Sequence, residues 1–234
     1  LRATVRICWG ISILILGGML ITMDSKPTNP TTVTGDTVEL PTFRKTGSIS
    51  VEAALRERRS VRDFTDTPLT TRDLSQLLWA GQGITNREGY RTAPSAGALY
   101  PLELYIVAGN VNRLSSGVYH YRPHRQSLTR HKSGEFRERL ARQAYEQEWI
   151  ARAPAVIVIA GIYGQTTGKY GRRGRRYVHM EVGHAAQNVY LQATALGLGT
   201  TIVGAFHEDR IQDHLDLPEG RVPLAIMALG KPAE

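Results

Sequence analysis

The sequence predicts an α+β protein in which helices pack on a mixed β-sheet, and three observations carry that expectation. Helical and strand-like segments are interleaved after Ser50, and several strands are apolar throughout, as strands buried on both faces are. The first two helices precede every strand, so a doubly wound order is not forced. With 234 residues, 41% hydrophobic and 21% charged, the chain is long enough for one sizeable core and too ordinary in composition for a disordered or fibrous protein.

The elements follow in order. Residues 25–47 carry prolines and many threonines without a helical or alternating period, which reads as a linker or extended arm, so the folded domain is expected from Ser48 to Glu234. Ser50 can cap a helix running through Arg59, with Val51, Ala54 and Leu55 on one face. A second helix opens at Thr70, with Asp73 three positions on in the acidic place of a capping box; it turns Leu74, Leu77 and Leu78 inward and stops at Gly81. Strands are predicted over Glu103–Ala108, Gly117–Tyr121, Ala155–Ala160, Thr200–Val203 and Pro223–Leu229. Gly134–Ile150 reads as a charged amphipathic helix, Tyr177–Leu196 as the longest periodic helix, closed by Gly197, and Asp209–Leu215 as a short one.

Ahead of these lies an uncharged run from Ile7 to Met23, which as a helix spans roughly 26 Å. Arg2 and Arg6 before it favour a cytoplasmic start and an extracytoplasmic domain, so residues 1–24 are expected to be a single-span membrane anchor. A cleaved signal is the alternative, although Met19–Ser25 offers no small-x-small cleavage site. A translation start at Met19 or Met23 is another, and leaves a cytoplasmic protein. Lysine plus arginine number 29 against 21 acids, a net charge of +8, which favours anionic partners without choosing among phosphates, nucleic acids and acidic membranes. The single cysteine, Cys8, excludes an intrachain disulfide framework or a thiolate-cluster metal site within this sequence.

Three segments carry chemistry. Arg58-Arg59-Ser60-Val61-Arg62 places three guanidinium groups and a hydroxyl where a helix ends, able to converge on a phosphate through forked, charge-assisted bonds or simply to face water. Thr92-Ala93-Pro94-Ser95-Ala96-Gly97-Ala98-Leu99-Tyr100-Pro101 is a run of small residues entering a strand, through which backbone can approach a flat or anionic ligand closely; a plain turn is the other reading. Gly197-Leu198-Gly199-Thr200-Thr201-Ile202-Val203-Gly204-Ala205 brackets a buried strand with glycines, and loops leaving such strands commonly bind ligands. No glycine spacing matches GxGxxG or a phosphate loop, which excludes a Rossmann or nucleoside-triphosphate site of that kind.

Taken in this order, RRSVRDF, SAGALYPLELY, GHAAQNVYLQATALGLGT and the terminal ALGKP resemble the nitroreductase-like flavoprotein family over Ser50–Pro232, and within it the SagB-type branch, whose members include dehydrogenases that oxidise thiazolines and oxazolines in peptides. The resemblance implies an FMN-binding α+β fold, a homodimer with flavin at the subunit interface, and a small-molecule or peptide substrate. It implies that Arg58, Arg59, Ser60 and Arg62 hold the FMN phosphate, ribityl chain and pyrimidine edge. A fixed cation there would stabilise the anionic reduced flavin. By the same resemblance Pro94, Ser95, Ala96 and Gly97 line the ring system, Gly204 and Ala205 face the flavin edge near N5, and Lys231 returns to the phosphate.

Gly168-Lys169-Tyr170-Gly171-Arg172-Arg173-Gly174-Arg175-Arg176-Tyr177 reads from its residues as a mobile basic loop or as a nucleic-acid patch with interleaved tyrosines. In the azole-forming branch an adjacent lysine and tyrosine occur in the corresponding loop, and the resemblance makes Lys169 and Tyr170 the catalytic pair, with no nucleic-acid partner. Azoline oxidation needs a base, which a lysine of lowered pKa or a tyrosine beside a cation can be. His179, Glu181 and His184 share a helix, but the five-residue histidine spacing does not suit two ligands on one face, so no metal is expected. Gln187 and Asn188 are assigned to helix packing or a dimer interface, and His120, His124 and His131 to solvent. An NAD(P)H-dependent nitro- or quinone-reductase on the same fold is the alternative function. A membrane-tethered anion-binding protein without catalysis is the alternative of another class.

Overall fold

The computed structural model describes residues 33–233; the expected anchor or signal over residues 1–24 lies outside the described residues. The strands are β1 (Val33–Thr34), β2 (Thr37–Glu39), β3 (Leu102–Ala108), β4 (Gly117–Arg122), β5 (Ser127–Ser133), β6 (Ala155–Gly161), β7 (Gly199–Val203) and β8 (Val222–Gly230). They form one sheet in the order β1-β2-β5-β4-β3-β6-β8-β7. The helices are α1 (Val51–Glu57), α2 (Thr71–Gln82), α3 (Arg137–Gln143), α4 (Trp149–Arg152), α5 (Tyr163–Tyr170), α6 (Arg173–Ala195) and α7 (Glu208–Leu215). The α+β class stands as expected, but the sheet is not mixed: every pairing between these strands is antiparallel. The crossover through α5 and α6 does make β6 and β7 run the same way. The last strand, β8, then inserts between them, antiparallel to both, and among the described residues parallel pairing survives only at the isolated bridges Ser60–Thr200 and Leu69–Val111.

Alternation along the strands splits the core into two layers, because successive side chains of a strand point to opposite faces. Ile157 and Ile159 of β6 join Leu104, Ile106 and Met227 under α2 and α6, where Leu74, Leu77, Leu78, Val182 and Val189 are buried. Val156 and Val158 join Tyr105, Val107 and Ile226 on the other face under α3, α4 and α7, around Leu140, Ile150 and Ile211. The AVIVIA segment is therefore apolar throughout because it is sandwiched.

Local chemistry sets the helix ends. The Ser50 hydroxyl accepts the Ala53 N–H at 3.1 Å, and the Thr70–Asp73 capping box is formed reciprocally. Helix α2 runs one residue past Gly81 and is capped by Gly83. The face expected inward on α1 is mostly outward: Ala54 is buried, whereas Val51 and Leu55 are 64% and 53% exposed. The single helix expected over 134–150 is broken. Tyr145 and Glu146 take positive φ of 55° and 59°, and the kink lets Leu140 and Ile150 enter the same core layer.

Residues 33–47 do more than link. Strand β2 pairs with β5, a strand the sequence reading passed over because only Leu128 in it is large and apolar. Val38 and Leu40 are buried, Leu40 donates its N–H to Gln126 O at 3.0 Å, and Phe43 stacks on Trp79 at 4.6 Å. The described part of the arm thus closes one edge of the sheet, and the packed region begins before Ser48.

His120, expected in solvent, is packed into the sheet instead. Its ring stacks on Tyr105 at 4.5 Å, and its Nε2 lies 3.5 Å from the Glu103 carboxylate. That carboxylate also accepts from Tyr105 Oη at 2.9 Å and from Arg221 Nε at 3.3 Å. Burial drives the His120 pKa from 6.5 down to about 4; Glu103 opposes the shift, and Arg122, His131 and Arg221 add to it. The unfolded chain therefore binds a proton below about pH 6.5 that the native state refuses until about 4, so stability is full above that window and falls as pH drops through it. His120→Gln should flatten the acid loss of urea-unfolding stability across this window. His214, also lowered by burial, leaves a residual slope of the same sign.

Candidate functional site

Two groups of residues assemble at different places along α6. The first forms where the segment after α1 crosses the end of β7 and β8. Val61 N–H bonds Thr200 O at 3.0 Å and Thr65 N–H bonds Lys231 O at 2.9 Å, which brings the Arg58–Arg62 stretch and exposed Lys231 to one corner of the sheet. At this corner Arg58 and Ser60 meet on one side chain: the Arg58 guanidinium sits 5.0 Å from the Tyr190 ring centroid, and Ser60 Oγ is 3.2 Å from Tyr190 Oη. Arg59 is exposed and folds its Nη1 back onto Arg56 O and Arg58 O. The expected convergence of three guanidinium groups is not what the structure holds. Because the segment passes from one face of the sheet to the other, Arg62 reaches Trp149 of α4, 5.8 Å from its ring centroid.

Tyr190 organises this corner, and the sequence reading did not single it out. Its Oη accepts the Ile202 N–H at 2.8 Å and donates to Thr201 Oγ1 at 3.3 Å. Burial pushes its pKa up, but the hydrogen bonds shared with Ser60, Thr201 and Ile202 and the Arg58 charge outweigh burial and leave it below the ordinary value. Only an aromatic hydroxyl at the end of an apolar helical stripe hints at such a role in the sequence.

The second group forms nine residues earlier on α6, about 14 Å along its axis. Glu181 accepts the Ala96 N–H at 2.9 Å, and Ser95 Oγ accepts the Tyr100 N–H at 2.8 Å. Gly97 takes a φ of 63°, the left-handed region. A methyl group on Gly97 would stand 2.7 Å from Tyr170 Oη and 2.9 Å from Lys169 Nζ, so a side chain there would be strained by the positive φ and would displace the ends of both side chains. The turn that begins at Pro94 and the Lys169–Tyr170 pair are therefore one site. Lys169 and Tyr170 do not lie in a loop: they are the last two residues of α5, and α6 starts at Arg173, four residues before the expected Tyr177. Gly174 permits this tight junction, since a Cβ there would be 2.7 Å from Thr167 N.

In the sequence Glu181 reads only as a metal-ligand candidate beside His179 and His184. Burial raises its pKa, against the opposing Ala96 and Ser95 hydrogen bonds. It serves the turn, while His179 Nε2 pairs with Tyr163 Oη at 2.8 Å. Asn188 donates to Thr92 O at 3.1 Å, tying the start of the same turn to α6. Gly204 and Ala205 are exposed beyond the far end of β7, and a methyl on Gly204 would meet nothing within 4 Å.

Residues 55–231 match the model of the nitroreductase family. The chain belongs to that family. It is a nitroreductase-like oxidoreductase, and proteins of this family generally bind flavin. A Methanocaldococcus jannaschii protein provisionally named a nitroreductase is 48% identical over 202 residues, covering 86% of this chain and 100% of that one. The microcin B17-processing protein McbC of Escherichia coli is 30% identical over 156 residues, 60% of this chain and 54% of McbC. Among solved structures, one from Ralstonia eutropha, also provisionally named a nitroreductase, superposes with a TM-score of 0.76 at 25% identity, covering 87% of this chain and 94% of the other.

Tyr190→Phe should cost about 0.5–1.5 kcal/mol in urea unfolding, because the Ile202 N–H and the Ser60 hydroxyl lose a shared partner at positions that water can reach.

Proposed function

We propose that this nitroreductase-family chain is an FMN-dependent dehydrogenase of the SagB type that oxidises azoline-like rings in peptides. The observation that carries the reading is the meeting of Lys169 and Tyr170 with Gly97 in the SAGALYP turn. A reductase passing hydride from nicotinamide to an acceptor has less need of a base at that place. The similarity to a protein that processes microcin B17 supports a peptide substrate.

The residues present fit FMN. Exposed Arg59, Ser60 and Lys231, with Arg58 beside them, supply cations and a hydroxyl suited to a phosphate. Ile202, 38% exposed within β7, and the open backbone at Gly204–Ala205 suit a flat ring. Arg62, turned toward Trp149, would act at the edge of such a site. Pro94, Ser95, Ala96 and Gly97 would line the ring from the other side. When bound, the flavin supplies a hydride acceptor at N5. Oxidising an azoline to an azole removes one hydride and one proton from adjacent ring atoms. Of Lys169 Nζ and Tyr170 Oη, both within reach of Gly97, one takes that proton while the other holds it in place, and Glu181 keeps the turn fixed through the Ala96 N–H.

A homodimer accompanies this reading. The phosphate-suited corner and the Gly97 turn lie about 14 Å apart along α6, and a second copy can complete each. Helix α1 presents Val51 and Leu55 to solvent beside exposed Ile49. Leu55→Asp should convert a dimer to monomer in light scattering and loosen flavin retention.

The protein as purified should be yellow and release FMN on denaturation, and Arg59→Ala with Ser60→Ala should strip it. Lys169→Ala and Tyr170→Phe should keep flavin content and melting temperature while slowing flavin reduction by an azoline peptide ~10²–10⁴-fold. Rapid reduction by NAD(P)H with no response to any azoline would favour the reductase instead.

A further inference from the structure

Beyond the Tyr100 end of the SAGALYP turn lies a cavity of about 600 Å³ that the proposed flavin and base chemistry does not use. It opens between the β4–β5 hairpin, the start of β3 and the end of α2, a volume in the ordinary range for a small-molecule site. Its walls carry three arginines, Arg91, Arg122 and Arg125, and one carboxylate, Glu103. That carboxylate is already engaged by Arg221, Tyr105 and His120. Among the described residues none of the three arginines has a carboxylate within ion-pair distance, so the cavity holds excess positive charge. His120, neutral above about pH 4, adds no charge of its own at neutral pH.

Arg91 is the built element. Its Nη1 is held by Gln82 Oε1 at 2.7 Å and Leu102 O at 3.2 Å, and its guanidinium lies 4.8 Å from the Tyr100 ring centroid. Both acceptors are neutral, and together with Tyr100 they fix the plane of the group. The Nε–Nη2 edge has no acceptor among the described residues. That edge presents two parallel N–H bonds, the pattern that matches the two oxygens of a carboxylate. A half-buried cation without an ion-pair partner costs free energy that a bound anion recovers, and burial pushes the Arg91 pKa down although the nearby Glu103 and Glu181 charges oppose it.

We infer that this cavity is a binding site for a small organic carboxylate, held by the Nε–Nη2 edge of Arg91, with Arg122 and Arg125 completing the cationic wall. The inference does not depend on the flavin reading, since none of the residues assigned to the flavin or to base chemistry lines the cavity.

Isothermal titration of the protein as purified, with benzoate and separately with inorganic phosphate, tests it. Wild type should bind one benzoate per chain without change in any visible flavin spectrum, and phosphate more weakly. Arg91→Gln should weaken benzoate at least about tenfold, as loss of a charge-assisted pair does. Arg122→Gln, at an exposed position that folding tolerates, should weaken it several-fold, and Lys169→Ala should leave it unchanged. The site is refuted by the absence of saturable benzoate binding, by phosphate binding as tightly as benzoate, or by loss of binding in Lys169→Ala. If Arg91→Gln does not fold, unchanged affinity in Arg122→Gln refutes it alone.

Discussion

The burial of α6 on the sheet is the constraint from which the rest follows. Val178, Val182, Ala185, Ala186, Val189 and Ala193 repeat at helical spacing and are buried, and the small residues among them let a 23-residue helix lie close to β3, β7 and β8. Three features of the site hang from this helix. Gly174 at its start admits α5 and sets Lys169 and Tyr170; Glu181 on its third turn holds the SAGALYP turn; Tyr190 near its end binds the corner at Ser60 and Ile202. A shift of α6 by one turn would move all three together by about 5.4 Å. The two half-sites keep their spacing because they share one rigid rod.

The sequence made the long elements readable because their burial is periodic and their ends carry specific chemistry. AVIVIA, the Thr70–Asp73 box and the Ser50 cap appear as read. What it hid was whatever depended on partners far along the chain. β5 carries SLTRHKS, whose polar residues fit a strand only because β4 and β2 flank it. The β1–β2 arm reads as a linker because its few apolar residues, Val38 and Leu40, are explained by β5 and α2 and not by each other. The antiparallel sheet was hidden for the same reason: local pattern shows that β6 and β7 are joined by a crossover, and cannot show that β8 slides between them.

The site was legible in kind more than in arrangement. Runs of arginine, small residues and glycine marked its parts, yet composition could not show that Arg62 leaves the corner for Trp149. Nor could it show that Lys169–Tyr170 and Gly97, some seventy residues apart in sequence, touch. Glu181 and Tyr190 escaped as working residues because a single polar group within an apolar helical stripe looks like an exception, and only tertiary contacts reveal what it holds.

The two-stranded arm has a consequence for how the chain avoids its own kind. Without residues 33–40, β5 becomes an edge strand, and its row of unpaired N–H and C=O groups becomes a template for another chain. The opposite edge is blunted differently, by the bridge from Ser60 onto Thr200. A fragment starting at Ser48 keeps all of the proposed site residues and still loses one of its two guards, so the safe boundary for handling this domain is set by edge-to-edge aggregation, upstream of anything the chemistry requires.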